Sequence, residues 1–311
     1  MGTMLQSLRR LARLVTPRFL RDVVDDYRLI KQRIDEHDRR LRNLSHTLLV
    51  SRYPGIAQSV RFKDEINAYG FKCFSQNNED GILLYLFSKI GVINRRFVEF
   101  GVQDGRQCNT ANLSLNFGWS GLLMEADARH VEAAKRFYQD MLGVSAVNAR
   151  IIQGFVTAEN IDTLLLENNL KGEIDLLSID IDGNDYWVWK AISAVTPSVV
   201  VIEYNAAFGA DRSVTIPYDP SFSVHDGNAR SIYYGASLAA LAKLAAQKGY
   251  VLVGCDSNGV NAFFVRRELA EGKLPEVPVC DAYFPNARCL LRGLTPDILF
   301  DSVKHLPFQT V

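Results

Sequence analysis

The sequence predicts an α/β fold. Five parallel strands with helices on both faces are closed by an antiparallel C-terminal hairpin to make seven strands, behind an N-terminal helical extension. Three observations carry this. From about residue 70, nearly continuous apolar runs of strand length alternate with helical patterns, as expected of a parallel sheet covered on both faces. Near the C-terminus two such runs are separated only by the tight turn "DSNGV", a hairpin signal. The first fifty residues instead carry heptad-like spacing that the rest of the chain lacks.

In chain order, Leu5, Leu8, Leu11, Leu14 and Val15 line one face up to Pro17, with Arg9, Arg10 and Arg13 elsewhere. Such a basic amphipathic stretch suits an anionic membrane surface, or a short docking helix. Val23, Tyr27, Ile30, Ile34, His37, Leu41, Leu44 and Leu48 then alternate in steps of four and three, the seam of a coiled coil through which the chain would self-associate. One long helix packed on its own domain fits the same spacing. His37 is the one polar seam residue, of the kind that sets register. The extension is placed at 1–55 and the main domain at 60–311. In that domain the strand candidates are Phe97–Val102, Gly121–Asp127, Arg150–Val156, Asp175–Asp182 and Ser198–Asn205. Helical patterns fall at 77–90, 108–116, 128–141, 159–168, 185–194 and 235–248. Tyr250–Cys255 and Asn261–Arg267 form the hairpin. Five β-α units in series closed by such a hairpin are the strand plan of a class I, Rossmann-like methyltransferase.

Bulk properties narrow the function. Lys plus Arg equals Asp plus Glu at 35 each, which argues against nucleic acid as the main partner. The balance is uneven, since the first fifty residues hold 11 basic against 6 acidic side chains. The five cysteines, at 73, 108, 255, 280 and 289, are odd in number and show no CxxC spacing. They read as reduced thiols of a cytoplasmic protein, not a disulfide frame or zinc site. No apolar run is long enough to span a membrane, and no secretory signal follows the N-terminal arginines.

In an open α/β sheet, ligands sit beyond the carboxyl ends of the strands. The first end reads "FVEFGVQDGRQCNT", in which Gly101 and Gly105 would let backbone approach a ligand beside Glu99 and a helix N-terminus. Glu125, 26 residues after Glu99, stands where this architecture places an acid on a ribose diol, while Asp127 is the better placed helix cap. The fourth end, "SIDIDGNDYW", crowds Asp180, Asp182 and Asp185 together, and the fifth, "VVVIEYN", brings Glu203 and Asn205. Neighbouring parallel strands lie about 4.8 Å apart, so Asp180, Glu203 and Asn205 could converge on Mg²⁺ or Mn²⁺. The alternative is that Asp180 meets cofactor, Asp182 and Asp185 cap the next helix, and no metal binds. An EF-hand is excluded, because its sixth and twelfth positions would be Asp185 and Ala191. A metal-dependent glycosyltransferase Asp-x-Asp would leave the glycine turn and Glu125 unexplained. Residues 206–234 form a long polar stretch holding His225, a candidate proton acceptor or an ordinary loop histidine.

Taken in order, "FSQNNEDGILLYLF", "FVEFGVQDG", "GLLMEAD", "IDLLSIDIDGNDYWVWKAI", "VVVIEYN" and "GVNAFFVR" resemble the FkbM-type methyltransferases, over roughly residues 70–267. These are S-adenosylmethionine-dependent O-methyltransferases that often act on sugars or natural products. The resemblance implies that Glu99, Gly101, Gly105 and Glu125 bind the cofactor, with Ser75 and Gln76 near its methionine end. It implies that Asp180 and Asp182 are active-site acids. Asn78 stands where relatives often have glycine before the Glu-Asp pair. The expected reaction is methyl transfer to a hydroxyl of a sugar or glycan such as a bacterial surface polysaccharide. Asp180, Glu203 and Asn205 would hold a divalent ion, and Asp182 or His225 would take the proton. The N-terminal segment would tether the enzyme near a membrane-bound glycan assembly system. A glycosyltransferase, or a coiled-coil scaffold with a non-catalytic domain, are the competing classes.

Overall fold

A computed structural model describes residues 27, 30–31, 65–142, 148–222 and 232–311. The chain divides into two units, Met1–Arg52 and Tyr53–Val311. In the first, only Tyr27, Ile30 and Lys31 are described; all three are helical and exposed. Apart from Tyr27 and Ile30, the predicted coiled-coil seam and the basic amphipathic helix lie outside the described residues. No helix among the described residues is long and apolar enough to cross a membrane.

The second unit runs α1 Glu65–Ala68, α2 Glu79–Ile90, β1 Arg96–Phe100, α3 Ala111–Phe117, β2 Ser120–Glu125, α4 Ala128–Leu142, β3 Ala149–Gln153, α5 Ile161–Glu167, β4 Gly172–Ile179, α6 Asp185–Ala191 and β5 Val195–Glu203. After a 3-10 turn at Ala206–Phe208 come β6 Val214–Thr215, α7 Leu238–Gln247, β7 Tyr250–Cys255 and β8 Asn261–Arg266. Four short helices, α8 Arg267–Ala270, α9 Val279–Ala282, α10 Ala287–Leu290 and α11 Pro296–Val303, lead to β9 Gln309–Thr310. The main sheet has the order β3-β2-β1-β4-β5-β8-β7, parallel throughout except for β8. This is the class I methyltransferase plan expected from the sequence.

Period-two alternation divides the core. Val98, Phe100, Leu122 and Met124 face one apolar layer with Trp189 and Leu241, while Phe97, Leu123 and Leu176 face the other with Leu83, Leu86 and Tyr138. Each fully buried Leu, Val or Phe stabilises the fold by about 1.5–3 kcal/mol, so both helix layers are strongly held. Buried carboxylates fix the turns. Asp175, in β4, accepts hydrogen bonds from the amides of Ile93, Asn94 and Arg95, which sets the entry to β1. Asp256 accepts from the amides of Asn258, Val260 and Asn261 and so shapes the "DSNGV" turn. Burial raises its carboxyl to about 7.

The five parallel strands stop earlier than the apolar pattern predicts. β2 ends at Glu125 and not Asp127, and β4 at Ile179 and not Asp182. The apolar run sets a strand's identity, but its end is set where the ladder loses its partner. Asp182 has already turned into the left-handed region, at φ +54°. The stretch after β5 and the C-terminal tail are built together. β6 pairs with β9, and Phe208, Ile216, Tyr233, Leu299 and Val303 form a third apolar cluster.

Candidate active site

The site begins at the tip of β1. Gly101, at φ +71°, lies so close to the β4 tip that a Cβ there would sit 1.6 Å from the Asp180 carbonyl oxygen. Gly105, at φ +77°, packs against Ala134 and Tyr138 of α4. The glycines therefore admit neighbouring protein, where the sequence had suggested close approach of a ligand; Gly101 does so while its own backbone also lines a cavity.

Glu99 is buried and its carboxylate is already occupied. Oε1 accepts from the Asn109 amide and the Ser178 hydroxyl, and Oε2 from the amide and hydroxyl of Thr110. It thus holds the 101–110 turn closed; burial nonetheless pushes its carboxyl up. Glu125, expected to be free for a ribose, accepts from the amides of Gln103 and Asp127. Asp127 does cap α4, accepting from the Arg129 amide. His130 Nδ1 stands 3.9 Å from Glu125 Oε1.

Ser75, expected beside the methionine end of a cofactor, is fully buried and bonded to Asp80. Its amide and hydroxyl both donate to Asp80 Oδ2, which also accepts from the amides of Cys73 and Phe74. Burial outweighs these four donors and raises the Asp80 carboxyl to about 6. Asn77 and Asn78 are structural as well: Asn77 donates to Glu79, and Asn78 Nδ2 to Asn67 Oδ1. Gln76, in contrast, lines the cavity.

At the tips of β4 and β5, one carboxylate oxygen each from Asp180, Asp182 and Glu203 lie within 4.8 Å of one another. Asp180 and Glu203 are half-buried. Burial first, and then the neighbouring carboxylates, push both well above the usual carboxylate range. Glu203 Oε1 accepts from the Tyr234 hydroxyl at 3.1 Å, whereas Oε2 is buried with no partner. An unmatched buried carboxylate oxygen costs about 1–3 kcal/mol or more, and a hard cation would satisfy it. The donor set fits Mg²⁺ or Mn²⁺.

Asn205 is not part of this set. Its Oδ1 accepts from the Ala207 amide, and its Nδ2 donates to the carbonyls of Ile232 and Tyr234. In its stead Asp182, expected as a proton acceptor, lies with Asp180 and Glu203. Asp185 opens α6 and reaches back to the amides of Ile181 and Gly183. His225 lies outside the described residues.

Beside the β1 tip and Asp180 lies a cavity of about 370 Å³, within the range of small-molecule sites. It passes from His130 and Gln103, by Glu99 and Gly101, to Gln76, Asp180 and Asn261. Cys108 also lines it, but its Sγ donates to the Val102 carbonyl and burial holds the thiol up, so it is no nucleophile. Asp180 alone belongs both to this cavity and to the carboxylate cluster. His130, Tyr234 and Asn261 were not singled out in the sequence. For Asn261 the signal was available: it starts the hairpin strand that pairs with Glu203.

Residues 75–231 match the family model of the methyltransferase FkbM domain. No curated protein matches the chain. Among solved structures it is similar to magnesium protoporphyrin IX methyltransferase (ChlM) from Synechocystis PCC 6803 with bound SAM, at 12% identity and a TM-score of 0.39 over 60% of this chain and 77% of that one. It is similar to the N-terminal domain of EvdMO1 with SAH bound, at 16% identity and 0.39 over 62% and 82%. It is likewise similar to the O-methyltransferase from Bacillus cereus in complex with SAH, at 17% identity and 0.38 over 71% and 88%.

Proposed function

Because the chain belongs to the FkbM methyltransferase family, we propose that it transfers the methyl group of S-adenosylmethionine to a hydroxyl of a sugar or glycan, with a divalent cation at Asp180, Asp182 and Glu203. The observation that carries this reading is the double membership of Asp180, in the cavity and in the carboxylate cluster. On this reading, a cofactor in the cavity would lie beside a hydroxyl-binding cation. A hard cation held by oxygens also suits paired sugar hydroxyls.

When bound, S-adenosylmethionine supplies a methyl already activated on sulfonium, and the cation lowers the pKa of an acceptor hydroxyl. What remains for the chain is alignment and the proton. The 101–110 turn held by Glu99, with Gln76 and His130, would seat the cofactor. Gly101 keeps Asp180 against that turn. When the acceptor hydroxyl gives up its proton to methyl transfer, the carboxylate cluster would receive it, Asp182 being its most exposed member.

The test is incubation with labelled S-adenosylmethionine and a panel of oligosaccharides, read by mass spectrometry. Label is expected on oxygen, lost in chelator and restored by Mg²⁺ or Mn²⁺. Label on nitrogen or carbon would contradict the acceptor class, and full transfer in chelator would contradict the metal. Family membership favours methyl over glycosyl transfer; calorimetric binding of a nucleotide sugar in place of S-adenosylmethionine would reverse that preference. Absence of binding to either would favour a scaffold. Self-association through residues 23–48 is part of the same proposal, and a monomeric mass by light scattering on the full chain would remove it.

A further inference from the structure

We propose that Tyr234 is a positioning residue for the cation seat, held on Glu203 by a clasp that Asn205 closes. This rests on the metal reading above. The chain returning from the polar stretch, residues 232–236, is tied to both carboxylate-bearing strand tips. On the β5 side the Asn205 amide donates to the Ala236 carbonyl at 2.8 Å. Its Nδ2 donates to the carbonyls of Ile232 at 2.8 Å and Tyr234 at 2.9 Å. On the β4 side the Gly235 amide donates to the Gly183 carbonyl at 3.1 Å, next to Asp182. Ile216 donates from its amide to the Gly235 carbonyl and fixes the segment from outside.

A segment pinned at both tips sets the distance between them. It also delivers the Tyr234 hydroxyl to Glu203 Oε1 at 3.1 Å. That single donor matters because Glu203 ends its strand. With Oε1 held, Oε2 is the buried, unpartnered oxygen of a side chain whose carboxylate lies within 4.8 Å of those of Asp180 and Asp182. Groups that orient a metal-binding carboxylate in this way typically carry about 10- to 100-fold in metal affinity. The residue that resembled a ligand in the sequence, Asn205, then acts one step removed, by placing the residue that places the ligand.

The experiment is a Mn²⁺ titration of the full chain, followed by the electron paramagnetic resonance signal of the free ion. The wild type is compared with Y234F, N205A, E203A and the double variant Y234F/E203A, with a thermal melt of each. Y234F removes one oxygen atom and is expected to stay folded, with a modestly lower melting temperature, while binding Mn²⁺ about 10-fold more weakly. In the E203A background the same change is expected to have no further effect. N205A removes three hydrogen bonds; a folded N205A is expected to lose affinity as Y234F does. Wild-type binding that Y234F leaves unchanged would overturn the proposal and leave the metal reading intact. So would a loss that persists in the E203A background. A wild type that binds no Mn²⁺ would overturn the metal reading itself, and this proposal with it.

Discussion

Gly101→Ala is the sharpest perturbation of the site, because two separable penalties fall on one methyl group. The backbone there is at φ +71°, and an L-residue in that region costs about 1–2 kcal/mol. The methyl would also lie 1.6 Å from the Asp180 carbonyl oxygen, where real contacts stay above 3.0 Å, so the β1 and β4 tips must separate by about 1.4 Å. Forced overpacking of this kind adds about 1–3 kcal/mol. The total, about 2–5 kcal/mol, is below the 5–15 kcal/mol typical of a domain, so the variant should fold. Gly118→Ala is the internal control: φ is +68° but nothing lies within 4 Å, so only the conformational penalty should appear. Urea melts should therefore separate the two variants by about 1–3 kcal/mol. Displacing Asp180 by over an ångström should lower methyl transfer by about 100-fold in G101A and leave G118A near wild type. Equal stability losses, or a G101A rate near wild type, would refute the tie between Gly101 and Asp180.

The other predictions concern buried carboxylates. Asp80 has its carboxyl raised from 3.8 to about 6, so the native state holds the proton more tightly than the unfolded chain does. Its contribution is complete below about pH 4 and is lost as pH rises through 6. The stability of the wild type relative to D80N should thus fall by up to about 1.4 kcal/mol per pH unit across that window, and level off above it. A difference independent of pH in urea melts would contradict the burial argument. Glu99→Gln turns an amide group toward donors that now face a carboxylate. It should destabilise by about 1–3 kcal/mol and weaken S-adenosylmethionine binding by on the order of tenfold. Calorimetry showing both unchanged would mean the carboxylate does not hold the turn.

The main lines of the fold were legible because they are local. A run such as "DLLSI", bounded by turn residues and repeated in series with helical patterns, fits a strand covered on both faces, and "DSNGV" between two such runs fits a tight connection. The strand ends were not legible, since apolarity continues past the last ladder bond at Phe100, Glu125 and Ile179. Acids at the strand tips were found as residues, but their partners were hidden. Whether Glu99 faces a cofactor or the Asn109 and Thr110 amides depends on how the 101–110 turn closes. Ser75 turns inward because Asp80 gathers the amides of residues 73–75, an arrangement no spacing announces. Asn205 is withdrawn from the carboxylate tips because its side-chain amide is drawn to two carbonyls, and those come from about thirty residues away.

On the proposed function, the cavity and the carboxylate cluster are one site joined at Asp180. The most direct test is nuclear magnetic resonance of S-adenosylmethionine bearing a ¹³C-methyl group, bound to the full chain with and without Mn²⁺. Mn²⁺ is expected to broaden the bound methyl signal severely, chelator to restore it, and E203A to reduce the effect greatly. A bound methyl signal unmoved by Mn²⁺, at concentrations where the ion is bound, would contradict the single site.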